Sequence, residues 1–265
     1  PRSTPKPSSA ASDVYKRQLY SLQDEIIDNK LSEPLVVELD FNKAKEKDYK
    51  TLAENLYENY DKLDGLVHVA GILGYLSPLM HTSLMQLKTV MQINFESNFL
   101  ITQIALPLLL KSSNPSIVFT SSGGTIFGEP TVIPTAEEDY ADEPESPYGV
   151  AKKRLNELIK IMTKNSNLKY SILNLSNVYG PRQDPYGEAG VVSIFANKYL
   201  NNEAPIIYGD GEQSRDYIYV KDVVSALTKA SKIDKNHFLN IGTGVETSVN
   251  DLANSMKIQF NSDIN

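Results

Sequence analysis

Apolar residues recur at helical spacing over residues 19–27 and again over 44–60, which predicts two amphipathic helices. Between them the run LVVEL, residues 35–39, has the length and composition of a strand. A second apolar run, GLVHVA at 65–70, is followed by a long helical pattern from about Ser83 to Leu110 and by the strand SIVFT at 116–120. Beyond a loop spanning 123–147 the alternation resumes with a helix from Tyr148 and the strand YSILNL at 170–175. Short continuous apolar strands separated by amphipathic helices indicate parallel strands covered on both faces, an α/β doubly wound sheet. From residue 176 onward the pattern becomes mixed, with Pro, Gly and short strands around 204–220, which suits a smaller substrate-binding region interleaved with the sheet. The expected division is therefore 19–175 for the sheet domain and 176–265 for the mixed region.

The first 18 residues, PRSTPKPSSAASDVYKRQ, are rich in Pro and Ser and have no apolar period. They read as a disordered leader or as an artefact resembling translated adapter sequence, and no signal-peptide core follows their basic residues. They carry four basic residues and one acidic residue, so the remainder has a net charge of -10 against -7 for all 265 residues. That acidity, with no basic cluster, argues against nucleic acid as a partner. No apolar run is long enough to span a bilayer, so no membrane partner is expected. With no cysteine, a disulfide framework, a thiolate nucleophile and a cysteine metal site are all excluded. The three histidines show no ligand spacing and no serine sits in a G-x-S-x-G elbow, so no metal site and no serine hydrolase is expected.

The candidate chemistry lies in SPYGVAK. Tyr148 and Lys152 are four apart at a helix start, so they share one face one turn apart. A nearby ammonium favours tyrosinate, which otherwise needs a pH near 10, and so makes the phenol usable as a base. Ser122 closes the strand SIVFTSS at the edge where open parallel sheets bind ligands, and its hydroxyl can hydrogen-bond the substrate oxygen being deprotonated.

At these residues the sequence resembles the short-chain dehydrogenase/reductase superfamily, over about residues 19–252. Residues 19–122, with VELD, LDGLVHVAG, MQINFESNF and SIVFTSS, resemble its compact oxidoreductase branch. Residues 116–252, with FTSSGGTIFGEP, SPYGVAK, SNVYGPRQDPYGEAGVVSIF, YGDGEQSRDYIYVKDV and NIGTGVETS, resemble the extended branch, specifically UDP-glucose 4-epimerases. The compact branch places its tyrosine much closer to the serine than the 26 positions that separate Ser122 from Tyr148 here, so the active site is of the extended kind.

The resemblance implies a Rossmann-like fold, NAD as cofactor, a UDP-hexose as substrate, a cytoplasmic setting and a homodimer. It implies that Tyr148 is the catalytic acid and base, that Lys152 tunes it and holds the nicotinamide ribose, and that Ser122 positions the sugar hydroxyl. Asn177 in SNVYGPR and Arg215 in QSRDY match diphosphate-binding residues, and a guanidinium fork suits phosphate oxygens. Asp40 matches the compact branch's adenine-contacting aspartate, with a helix N-cap as the plainer role. Ala70 and Gly71 match the tail of a cofactor-lining motif whose leading asparagines are replaced by His68 and Val69, and His68 reads as a core or strand histidine. Asn94 matches an asparagine near the active site, against a polar residue inside a helix. ILNLSN departs from the family, which usually has arginine at the position of Asn174.

Nothing before Leu19 resembles the superfamily's first strand and glycine-rich turn, whose backbone amides hold the pyrophosphate. Losing two charge-assisted hydrogen bonds there would weaken NAD binding by on the order of a hundredfold. The chain also stops soon after NIGTGVETS, so a fragment truncated at both ends is expected. Three readings stay open: a UDP-glucose 4-epimerase-like enzyme oxidising the sugar transiently at its 4-position; a non-functional fragment or a chimera of two superfamily genes joined near FTSSGG; and a compact-branch NAD(P)-dependent oxidoreductase of a small carbonyl.

Overall fold

The structure, a computed structural model, describes residues 9–74, 79–126, 132, 135–138, 144, 146–186, 190–232 and 234–260. It divides into two compact units, Pro1–Leu52 and Ala53–Asn265. The loop expected over 123–147, and the first eight residues of the leader, lie partly or wholly outside the described residues.

In the first unit, helix α1 (Ser9–Asp28) contains the helical pattern of 19–27 and begins within the leader. It ends with Lys30 in the left-handed region at φ 57°, while the Leu31 N–H donates to the Ile26 carbonyl at 3.2 Å, closing the last turn. The expected strand at 35–39 does not form. A strand exists only through pairing, and among the described residues of this unit there is no strand to pair with. Side chains fasten the segment to α1 instead: Tyr20 donates to Glu38 at 3.0 Å and Gln23 Nε2 to the Pro34 carbonyl at 3.3 Å. Helix α2 (Glu46–Asn59), which runs across the boundary after Leu52, follows, with Glu46 and Asp48 in its first turn where the helix dipole favours negative charge.

The second unit is built on a four-stranded parallel sheet in the order β1-β2-β3-β6, formed by β1 (Gly65–His68), β2 (Ser116–Ser122), β3 (Lys169–Leu175) and β6 (His237–Ile241). The long helical pattern after β1 becomes α3 (Leu84–Met91), a single π turn over residues 92–96, and α4 (Ser97–Leu109). Ser83 and Gln86 form a reciprocal capping box at its start. A short helix, α5 (Gly123–Ile126), follows β2, and α6 (Pro147–Thr163) precedes β3.

Side chains alternate along β2, so the two faces of the sheet acquire separate cores. Ile117 and Phe119 pack with Ala105 and Leu109 of α4 and Leu155 and Ile159 of α6. Val118 packs with Leu173 and with Ala230 of α8 (Val220–Ala230) on the other. Burial on both faces explains why these strands read as continuous apolar runs. The doubly wound arrangement inferred from the alternation is thus the one observed.

Past β3 the chain leaves the sheet through β4 (Asn177–Tyr179) and α7 (Val191–Leu200) and forms a second, three-stranded sheet, β4-β5-β7, with β5 (Ser214–Tyr219) and β7 (Glu246–Ser248). It is mixed, because β4 pairs parallel to β5 and β7 antiparallel to it. A small core between α7 and α9 (Val249–Gln259), made by Phe195, Tyr199, Val249 and Ala253, supports this region.

Candidate active site

Helix α6 begins where its sequence dictates. The Ser146 hydroxyl accepts the Gly149 N–H at 3.1 Å and Pro147 occupies the first turn, where its missing N–H costs nothing. Tyr148 therefore stands in the first turn and Lys152 one turn later on the same face. The ammonium lies 5.7 Å from the centroid of the Tyr148 ring and donates to the Thr120 carbonyl of β2 at 3.0 Å. Thr120 is two residues before Ser122, so the lysine is tied to the end of the strand that carries the serine. Lys152 is 4% exposed, and its burial pulls the amine down to about 8. It remains mostly protonated at neutral pH.

The loop after β1 closes one side of this ammonium. A Cβ added at Gly71 would stand 2.7 Å from Asn94 Oδ1 and 3.3 Å from Lys152 Nζ, so only glycine lets the backbone pass there. Asn94 holds the loop in place. Its Oδ1 accepts the Ile72 N–H at 3.0 Å, and its Nδ2 donates to the carbonyls of Ile72 at 2.8 Å and Val90 at 3.1 Å. Asn94 is fully buried inside the π turn, where the Ser97 N–H reaches back five residues to the Gln92 carbonyl. Such insertions re-aim side chains and recur at functional sites. The helix-interior polar residue of the sequence thus bonds a loop more than twenty positions away. Ala70, beside Gly71, is exposed.

His68 belongs to the core. Its ring stacks on Phe119 with centroids 4.5 Å apart, and its Nε2 lies 3.0 Å from the Thr102 hydroxyl. Burial, helped by the Lys152 charge, pushes its pKa down to about 4, so it is neutral at pH 7.

The remaining residues separate into two groups. Asp40 lies in the first unit, where its carboxylate accepts the Asn42 N–H at 3.0 Å and pairs with Lys43 at 3.1 Å; it caps the turn before α2 rather than the helix itself. The groove beside it, about 310 Å³, is bordered by Glu38, Lys43 and Asp48. Asn177 and Arg215 are exposed in the second unit, on the neighbouring strands β4 and β5 just beyond the carboxyl edge of the main sheet. Asn177 stands opposite Tyr217, two residues after Arg215.

Two residues beside these, Tyr217 and Asp216, give no signal of their own in the sequence, and a third, Asn174, is marked there only as a departure. The Tyr217 hydroxyl is buried with no hydrogen-bond partner, and the Arg215 charge acts on it. Asp216 anchors the loop after β6. Asn174, at the position where the resemblance leads one to expect arginine, is buried and donates to Asn240 Oδ1 at 3.1 Å. Asn240 in turn donates from its side chain to the Thr135 carbonyl and from its backbone to Glu137. The position thus serves a hydrogen-bond relay to residues 135–137. Among the described residues no group of carboxylates and histidines is arranged to hold a metal ion, and no helix is long and apolar enough to cross a membrane.

Residues 33–242 match the model of the NAD dependent epimerase/dehydratase family. The chain is 49% identical over 160 residues to a putative UDP-glucose 4-epimerase of Methanocaldococcus jannaschii, covering 60% of this chain and 52% of that protein. It is 42% identical over 84 residues to an uncharacterized oxidoreductase of Escherichia coli, covering 32% of this chain and 33% of that one. The chain spans about half the length of the curated epimerases it matches. Among solved structures, the UDP-glucose 4-epimerase of Thermotoga maritima with UDP-glucose superposes with a TM-score of 0.76 at 30% identity, covering 91% of this chain and 79% of that one. The residues matched by the family model take in all four strands of the main sheet, α6 and the small sheet as far as β5, and the chain belongs to the NAD-dependent epimerase/dehydratase family.

Proposed function

We propose that the chain carries the active site of a nucleotide-sugar epimerase of the UDP-glucose 4-epimerase kind. The observation that supports this reading best is the Lys152 ammonium, buried, fixed on the Thr120 carbonyl and set against Tyr148. Tyr148 is the acid and base: its oxygen takes the proton from the sugar 4-hydroxyl and later returns it, on a helix face where a fixed positive charge favours the phenolate. Ser122, at the end of β2, donates to the same sugar oxygen and orients it. Asn177 and Arg215 hold the diphosphate, the guanidinium by paired N–H donors.

The residues around Gly71 fit the nicotinamide end of NAD, the cofactor of this family. The bare backbone at Gly71 lies against the buried Lys152 ammonium, the charged donor that would take a ribose hydroxyl. Bound there, NAD supplies reversible oxidation of the sugar carbon. Lys152, Tyr148, Ala70, Gly71 and Asn94 are the residues that would hold or shape that end.

In this reading residues 19–175 serve the cofactor and 176–265 the nucleotide sugar, and two copies pair. The test is interconversion of UDP-glucose and UDP-galactose by the purified chain supplied with NAD, compared with Tyr148→Phe. General acid–base catalysis contributes about 10²–10⁴-fold, and the variant is expected to lose that much. A wild type that binds NAD and UDP but leaves both hexoses unchanged overturns the proposal.

A further inference from the structure

The Asp216 carboxylate is the point where three segments meet at the carboxyl edge of the main sheet. Its Oδ2 accepts the N–H groups of Thr243 at 2.8 Å and Gly244 at 2.9 Å. Its Oδ1 accepts the Thr243 hydroxyl at 2.8 Å, lies 3.0 Å from the Thr243 N–H and 3.4 Å from the Ser176 hydroxyl. A Cβ added at Gly242 would stand 2.4 Å from Oδ2 and 3.3 Å from Ser176 Oγ, so the loop presses its bare backbone onto the carboxylate. Successive backbone N–H groups turned toward one anion form a nest, and charged acceptors make the stronger hydrogen bonds.

The location of this knot matters more than its strength. Ser176 immediately precedes Asn177, and its N–H donates to the Ile241 carbonyl of β6 at 2.9 Å. Asp216 immediately follows Arg215 on β5, and alternation along the strand turns Arg215 and Tyr217 to the face opposite Asp216. The loop 242–244 is where the chain passes from the main sheet to β7, which pairs with β5. One carboxylate therefore locks the start of β4, the middle of β5 and the β6–β7 loop to one another.

We infer that Asp216 is a positioning residue for nucleotide-diphosphate binding: it sets the offset between Asn177 and Arg215 so that both reach one diphosphate. This rests on the reading that those two residues hold the diphosphate. Asp216 itself makes no contact with the ligand in this account; it acts through the two strands.

The test uses the full chain, UDP as probe in calorimetry, NAD binding as an independent measurement, and steady-state kinetics with UDP-galactose. Asp216→Asn keeps the shape but replaces one accepting oxygen by an NH₂ that faces backbone donors. It is expected to weaken UDP by about tenfold or more and raise KM similarly, with kcat within about threefold and NAD affinity unchanged. In an Arg215→Ala background the same substitution is expected to add less than about threefold, because the offset no longer has an arginine to serve. An equal loss in both backgrounds, or a loss of NAD binding together with UDP, overturns the inference. If Asp216→Asn does not fold, Thr243→Val removes one hydroxyl donor and leaves the backbone bonds; it is expected to weaken UDP by about threefold, and unchanged affinity overturns the inference. A wild-type chain that binds no UDP removes the diphosphate reading and this inference together, whereas normal UDP binding by Asp216→Asn removes this inference alone.

Discussion

Replacing Lys152 by methionine separates the cost of the buried charge from its use. The amine has its pKa drawn from 10.5 to about 8 by desolvation, a shift equivalent to about 3 kcal/mol between the charged and neutral forms. The sign follows from proton counting. Between about pH 8 and 10.5 the unfolded chain still holds a proton at Lys152 that the folded chain has released, so stability rises with pH across that window. Below pH 8 both states are protonated and the full burial penalty is present. Lys152→Met has no such penalty at any pH, but loses the bond to the Thr120 carbonyl, worth about 1.5–3 kcal/mol for a charged donor. Near pH 7 the two effects nearly offset, and the variant is expected to be as stable as wild type or slightly more so, while inactive. From pH 7 to 10.5 the balance is expected to move toward wild type by about 3 kcal/mol. Urea unfolding of both proteins at half-unit steps reads this directly, and taking the difference cancels the titration of the tyrosines common to both. Parallel stability curves would show that the ammonium is solvated, and the account of its tuning by burial would fail.

His68, held near pKa 4 by burial and by the Lys152 charge, binds its proton more readily unfolded than folded. Stability is therefore expected to fall by about 3 kcal/mol as pH drops from 6.5 to 4, and His68→Gln to flatten that fall in unfolding experiments at pH 4, 5 and 7. Gly71→Ala drives a methyl against Asn94 Oδ1 and toward Lys152, at a cost of about 1–3 kcal/mol in thermal or chemical unfolding, with a larger loss in NAD binding than in UDP binding. Equal losses for both ligands would show that Gly71 does not face the cofactor end. Asn94→Ala leaves the Ile72 N–H and two carbonyls without their side-chain partner and is expected to cost at least about 2 kcal/mol, which a melting curve beside wild type checks.

The parts of this molecule that could be read from the chain are those whose causes are local. Ser146, Pro147, Tyr148 and Lys152 fall within seven consecutive residues, and cap, helix start and shared face follow from their spacing alone. The parallel strands were legible for a related reason: burial on both faces leaves a continuous apolar run. LVVEL has the same look and is not a strand, because pairing depends on a neighbour elsewhere in the chain. The pattern of 83–110 reads as one helix, and nothing in it announces the π turn, since one inserted residue leaves the apolar period nearly intact. Asn94 and Asp216 matter through partners at Ile72 and at Thr243–Gly244, and their bonds are to backbone groups whose position no side-chain pattern records.

On the proposed reading, the burial of two basic groups side by side indicates how the site is kept ready for chemistry. A second cation beside Lys152 would add repulsion to desolvation; His68 avoids this by staying neutral, with Thr102 at its Nε2. The lysine then carries the local positive charge, and its ties run to a backbone carbonyl and an aromatic ring rather than to a carboxylate that would quench it. An ammonium so placed destabilises the folded chain but leaves its field directed at Tyr148. In the proposed reading, stability is surrendered where a base would be made from a phenol, and it is recovered in the cores on either face of β2, where Ile117, Val118 and Phe119 are at most 1% exposed. That separation lets the strand hold Thr120 and Ser122 still while the groups around them remain reactive.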